Sequence, residues 1–173
     1  MYDRLIALEK ETGVVLPNSP SLRVGGQVLS GFKKYNHKNP LFSLDKCQSM
    51  AEVEKWLRDM KKAVPDARFS LEYKFDGLSI VIVYENGILT QAGTRGNGRV
   101  GEDVTEQVRT IQSVPLSIPF KGRLIVQGEG MITLSNLKKY NETANEPLKN
   151  ARNAVAGAIR NLDPKMTAAR RLD

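Results

Sequence analysis

From Phe69 to Asp76 apolar and polar residues alternate without a break. Phe69, Leu71, Tyr73 and Phe75 fall on one side, and Ser70, Glu72, Lys74 and Asp76 on the other. A period of two is that of an extended strand with one face turned to a core. The pattern predicts a second strand over Leu78–Tyr84 and a third over Ile88–Thr94. Glu85-Asn86-Gly87 joins them, and Asn-Gly is the strongest short hairpin signal. Leu124–Met131 reads as another strand. Helical spacing appears over residues 2–12 and through Val53, Trp56, Leu57 and Met60. It recurs through Val104, Val108 and Ile111, and in short stretches at Ser135–Tyr140 and Ala151–Asn161. Ser49 followed by Glu52 has the spacing of a capping box, and Pro65 closes the helix it opens. Residues 13–45 are punctuated by Gly13, Pro17, Pro20, Gly25, Gly26, Gly31 and Pro40 and read as loop. Paired strands with segregated helices predict an α+β fold with an antiparallel sheet.

The 173 residues suit one domain with a small appendage, and a 40% hydrophobic content supports a real core. The longest apolar run, near Leu78–Val83, is too short to span a bilayer. MYDRLIALEKE is charged and does not read as a signal peptide, so the expected compartment is the cytoplasm. The single cysteine, Cys47, excludes an intrachain disulfide and a cysteine-rich zinc site in this chain. The net charge of +7 favours polyanionic partners such as nucleic acid. Its distribution sharpens the picture. Residues 149–171 carry Lys149, Arg152, Arg160, Lys165, Arg170 and Arg171 against one carboxylate, Asp163.

Candidate chemistry lies in the 69–76 stretch, where the polar row includes Glu72, Lys74 and Asp76. One reading is the solvated face of a half-buried sheet. The other is a nucleophilic lysine held on a rigid strand. An amine attacks only when neutral, so such a lysine needs desolvation or neighbouring positive charge. Gly77 would let a ligand approach the backbone closely.

EYKFDGLS resembles the lysine-x-Asp-Gly motif of nucleotidyltransferases that form a lysyl-nucleotide. Longer blocks follow in the same order as in NAD-dependent bacterial-type DNA ligases. They are VGGQVLSGFKKYNHKNPLFSLDKCQS, TRGNGRVGEDVTEQVRTIQSVP and KNARNAVAGAIRNLDP. The chain therefore resembles the adenylation domain of that family over nearly its whole length. The resemblance implies the antiparallel nucleotidyltransferase core shared by DNA ligases and mRNA-capping enzymes, an ATP-grasp-like arrangement. It implies that Lys74 takes AMP from NAD, releasing nicotinamide mononucleotide, with a magnesium ion in attendance. Arg95 would neutralise phosphate charge, a role suited to a bidentate donor. Glu72 would contact adenine or orient the nucleophile, Ser43 and Leu44 would line the adenosine pocket, and Glu129 would accept from ribose hydroxyls. Asp76, with Gly77 beside it, would orient the site or help to hold magnesium through water. Arg152 and Arg160 would face phosphate or the backbone of nicked duplex DNA. Tyr2 and Asp3 resemble the end of the subdomain that grips the nicotinamide mononucleotide half of NAD. His37 and Cys47 receive no role.

The resemblance divides the chain into residues 1–16, a remnant of that N-terminal subdomain, and residues 17–173, a partial adenylation domain. Asn97, Gln127, Gly130 and Ala151 stand where the family pattern has aspartate, arginine, valine and proline. The core is expected to be incomplete at its C-terminal end, with the zinc finger, OB-fold, helix-hairpin-helix and BRCT parts absent. AMP transfer by the chain alone is expected to be impaired, and a complementary C-terminal ligase fragment is an expected partner. Two other classes stay open at this point. One is a non-catalytic module that binds nucleic acid or a ligase partner; the other is a nucleotidyltransferase that uses ATP or acts on RNA.

Overall fold

A computed structural model describes residues 2–24 and 29–173. The chain divides into two compact units, Met1–Pro40 with Phe75–Asp173, and Leu41–Lys74.

In the larger unit, α1 (Tyr2–Thr12) is followed by a short 3-10 turn, Pro20–Val24. The sheet holds β2 (Leu78–Glu85), β3 (Ile88–Thr94) and β5 (Arg123–Gly130). A separate ribbon pairs β1 (Lys34–Asn36) with β4 (Val100–Glu102). Helices α3 (Thr105–Arg109), α4 (Leu134–Thr143), α5 (Ala151–Ile159) and α6 (Pro164–Arg170) complete the unit. All strand pairs are antiparallel, with the order β3-β2-β5. The α+β prediction holds for this mixture of helices and antiparallel sheet.

The hairpin forms where Asn-Gly predicts it. Asn86 and Gly87 both take positive φ, 52° and 81°, as the tight turn between twisted strands requires. The core lies between the sheet and the helices. Leu89, Ala92, Val104, Val108, Val155, Ala158 and Ile159 are fully buried there. Tyr84 is buried with them, and its hydroxyl donates to the Pro115 carbonyl at 2.8 Å. Burial raises its pKa, partly offset by the Arg23 guanidinium. Arg23 itself ties the 3-10 turn to the core by donating to the carbonyls of Ile111 and Val114. β5 is paired on one side only, and Leu124, Ile125 and Val126 are each more than one-third exposed.

The alternating stretch 69–76 is not a strand, contrary to the prediction from its pattern. Alternation assigns faces, but a strand also needs a neighbour with which to exchange hydrogen bonds. Leu78 already pairs with Gly130, the last residue of β5, and Ile80 with Thr94, the last of β3. Past Gly130 the chain turns to Thr133, whose side chain caps α4. Neither neighbour extends far enough to pair with residues 69–76. The polar row of Glu72, Lys74 and Asp76 is accordingly exposed coil, not one face of a sheet.

The smaller unit contains α2 (Met50–Ala63). The Ser49 hydroxyl accepts from the Glu52 amide at 3.3 Å, while Glu52 accepts from the Gln48 amide at 2.5 Å, one residue earlier than a strict capping box. Trp56 meets Phe69 edge-to-face at 5.3 Å between ring centroids.

Three elements were not predicted: the β1–β4 ribbon, the 3-10 turn and α6. The last had a local signal. Asp163 caps α6 by accepting from the Lys165 amide at 3.0 Å, and Pro164 occupies its first turn. Asp163→Ala is expected to cost about 1 kcal/mol. Thermal unfolding should report this as a fall in Tm of about 2–4 °C.

Candidate functional site

The residues that fold places together lie at one end of the three-stranded sheet, where β2 begins and β3 and β5 stop. Glu129, next to last in β5, has both carboxylate oxygens engaged. Oε1 accepts from the Gly77 amide at 3.2 Å and Oε2 from the Ser79 hydroxyl at 2.8 Å. These contacts fix its rotamer at the corner where the chain enters β2. Gly77 makes the corner possible. A Cβ there would lie 2.0 Å from the Gly130 carbonyl oxygen, so only glycine lets the two backbones approach so closely. At this corner Gly77 admits β5. Gly130, where the family pattern has valine, is accommodated by Ile80. Its Cδ1 stands 2.8 Å from where a Gly130 Cβ would be.

Arg95 follows β3, and its amide donates to the Ser79 carbonyl at 3.2 Å. Ser79 thus contacts Glu129 through its side chain and Arg95 through its backbone. The turn after Arg95 is closed by Asn97, whose Oδ1 accepts from the amides of Arg99 and Val100 at 2.9 and 2.8 Å. The aspartate of the family pattern could accept the same two bonds, so the asparagine preserves the geometry of this turn.

Arg152 in the first turn of α5 and Arg160, the residue that caps its C-terminus, are held by carboxylates. Arg152 Nη1 lies 3.2 Å from Asp76 Oδ1, and Arg160 Nε lies 3.2 Å from Glu102 Oε2. Glu102 reaches back toward Arg95 through its amide, which donates to Thr94 Oγ1 at 3.0 Å. Both ion pairs are exposed, so each stabilises the fold by at most about 1 kcal/mol. Asp76, Gly77, Arg95, Glu129, Arg152 and Arg160 therefore all belong to this end of the larger unit. Tyr2 and Asp3 are on exposed α1 in the same unit. Ser43, Leu44, Glu72 and Lys74 belong to the smaller unit, where all four are exposed. Among the described residues, no group of three or more His, Cys, Asp or Glu side chains could hold a metal ion, and no helix is long and apolar enough to cross a membrane.

A family model described as NAD-dependent DNA ligase adenylation domain matches residues 29–173. The chain belongs to this family. A DNA ligase of Alkaliphilus oremlandii is 54% identical over 176 residues, covering 99% of this chain and 27% of the relative. One from Finegoldia magna is 50% identical over 184 residues, 100% of this chain and 28% of the relative. One from Clostridium botulinum strain Alaska E43 is 49% identical over 183 residues, 99% and 27% respectively. The chain thus spans about a quarter of the length of the curated relatives it matches.

In this adenylation-domain sequence two residues outside the recognised site positions hold the corner. Ser79 and Glu102 each hold a predicted site residue, Glu129 and Arg160. Ser79 stands two residues past Gly77 and so shares its side of the extended backbone, a local hint of its role. Nothing local marks Glu102, because its partner is 58 positions away in the chain.

Proposed function

We propose that this chain is the nucleotide-accepting part of a DNA-joining enzyme, in which Lys74 accepts AMP from NAD. The neutral Lys74 amine attacks the adenosine-side phosphorus of the NAD pyrophosphate. A P–N bond forms, the bond to the bridging oxygen breaks, and nicotinamide mononucleotide departs with that oxygen; the amine loses a proton to solvent. Arg95 is the fixed donor for charge developing on the phosphate oxygens. Glu129 receives ribose hydroxyls, Glu72 meets adenine or orients the amine, and Ser43 and Leu44 line the adenosine pocket. Tyr2 and Asp3 serve the nicotinamide mononucleotide side.

The observation that supports this reading best is the bracing of Glu129. Glu129, an acceptor whose two oxygens are held by Gly77 and Ser79, keeps one geometry. Ordered acceptors of this kind are what a ribose site needs. The described residues do not form a protein-built magnesium site. A magnesium ion in this reaction would be held mainly by the substrate phosphates and water, as is usual for this cation, and Asp76 is the carboxylate that would help to hold it through water.

The test joins this chain to the downstream region of the Alkaliphilus oremlandii relative and incubates it with adenine-labelled NAD or ATP. Intact mass and peptide mapping should find AMP on Lys74 from NAD alone. Label from ATP would overturn the assignment of NAD, and label on another residue would overturn that of Lys74.

Nicked duplex DNA is the proposed substrate of the next steps, with Arg152 and Arg160 facing its phosphates. A complementary C-terminal ligase fragment is the proposed protein partner. An exposed carboxylate pair can be exchanged for a phosphate at little cost. Arg152→Glu with Arg160→Glu is expected to flatten the negative slope of log K against log salt by about 1.8, at about 0.9 per phosphate contact. Fluorescence anisotropy with a labelled nicked duplex reads the slope; an unchanged one would mean neither arginine contacts phosphate.

A further inference from the structure

We propose that His37 is a positioning residue for Arg95, locking the backbone from which that guanidinium projects; the functional part rests on the adenylation reading above. His37 directly follows β1. Its Nε2 lies 3.0 Å from the Thr94 carbonyl oxygen and 3.1 Å from that of Arg95. Carbonyl oxygens only accept, so Nε2 carries the proton and donates to both. The His37 amide in turn donates to the Arg99 carbonyl at 2.9 Å, on the far side of the same turn. One residue thereby grips the loop at both of its ends.

The grip is rigid from behind as well. The imidazole stands edge-on to Tyr35 with ring centroids 4.9 Å apart, and Tyr35 is buried opposite Gly101 in the β1–β4 ribbon. Arg95 is then held through every polar backbone atom. Its amide donates to Ser79, and its carbonyl accepts from His37 Nε2 and from the Gly98 amide at 3.0 Å. A donor that must meet phosphate charge as it develops works best when its backbone needs no rearrangement. His37 supplies that condition without touching the substrate.

Two measurements on the 173-residue chain test this. The first is the tautomer of His37 in a long-range ¹H–¹⁵N correlation spectrum at pH 8, where the Nε2–H form is expected. The Nδ1–H form would overturn the clamp whatever the function of the chain. The second is the ratio of AMP affinity to adenosine affinity by calorimetry, which isolates the phosphate contacts. Arg95→Ala should lower this ratio about tenfold, the scale of a charge-assisted hydrogen bond. His37→Phe, which keeps a ring against Tyr35 but removes the donor, should lower it about fivefold with adenosine binding unchanged. His37→Gln places an amide donor near the Nε2 position and should restore most of the ratio.

If Arg95→Ala lowers the ratio and His37→Phe does not, the clamp is overturned and the reading of Arg95 stands. If Arg95→Ala leaves the ratio intact, or the unaltered chain binds AMP no better than adenosine, the phosphate role of Arg95 falls and that of His37 falls with it. An equal loss of AMP and adenosine binding in His37→Phe would show a purely structural histidine. Should His37→Phe not fold, the tautomer of the unaltered chain and the ratio in His37→Gln decide the matter, an unrestored ratio counting against the clamp.

Discussion

Replacing Lys74 by alanine or by arginine is expected to abolish covalent AMP transfer, with no labelled protein detectable after incubation with NAD. Alanine removes the nucleophile. Arginine keeps the charge and most of the length, yet its guanidinium stays protonated at any working pH and presents no lone pair to phosphorus. The two variants together separate a covalent role from an electrostatic one. A residue that merely attracted the pyrophosphate would retain much of its effect as arginine. Stability should not change in either variant, because Lys74 lies exposed in a segment without regular secondary structure. Intact mass spectrometry measures the adenylate, and a thermal melt verifies the fold. Covalent AMP on the Lys74→Arg protein would show that another residue is the nucleophile.

The second large effect is expected at Gly77. Alanine there drives a methyl carbon to 2.0 Å from the Gly130 carbonyl oxygen and 3.2 Å from Glu129 Cγ. The first obstacle is backbone in a paired strand, so relief requires β2 and β5 to part at their ends. Overpacking of this kind costs about 3 kcal/mol. For a chain of this size that corresponds to a fall in Tm of about 6–12 °C. The same separation would withdraw the Gly77 amide from Glu129 and free that carboxylate to rotate. Adenosine affinity should therefore fall along with stability. Gly128, one residue before Glu129, is the matched control. A Cβ there meets nothing within 4 Å, and Gly128→Ala should leave Tm within about 2 °C. Equal melting temperatures for the two alanine variants would refute the close-approach account of Gly77.

The predicted site residues differ in how far the sequence announced them. Lys74, Glu72, Asp76 and Gly77 stood out because a short motif places them within six positions. Arg95 and Glu129 were legible only through blocks that resemble a family, since no local pattern distinguishes either from an ordinary loop arginine or strand glutamate. His37 was passed over. A lone histidine in a loop carries no local signal, and its two acceptors lie 57 and 58 positions further along the chain.

What the sequence determined by itself was local. Asn86-Gly87 set the hairpin, because its turn needs positive φ at two consecutive residues. Ser49 and Glu52 set the start of α2, because side-chain acceptors within four positions satisfy the first free amides. The spacing of Val104, Val108 and Ile111 chose the face that α3 and the turn after it bury. Tertiary structure decided where alternation became sheet. The best alternating stretch in the chain, 69–76, stayed outside, because β3 and β5 end opposite the start of β2 and leave it no backbone partner. Tertiary structure also decided that Gly77 admits a strand, that Ser79 braces Glu129 and that His37 grips the turn bearing Arg95. Each of these depends on a hydrogen bond or a close approach between residues roughly fifty or more positions apart. Side-chain periodicity encodes which face of an element is apolar, and it carries no record of which distant atom that element will meet.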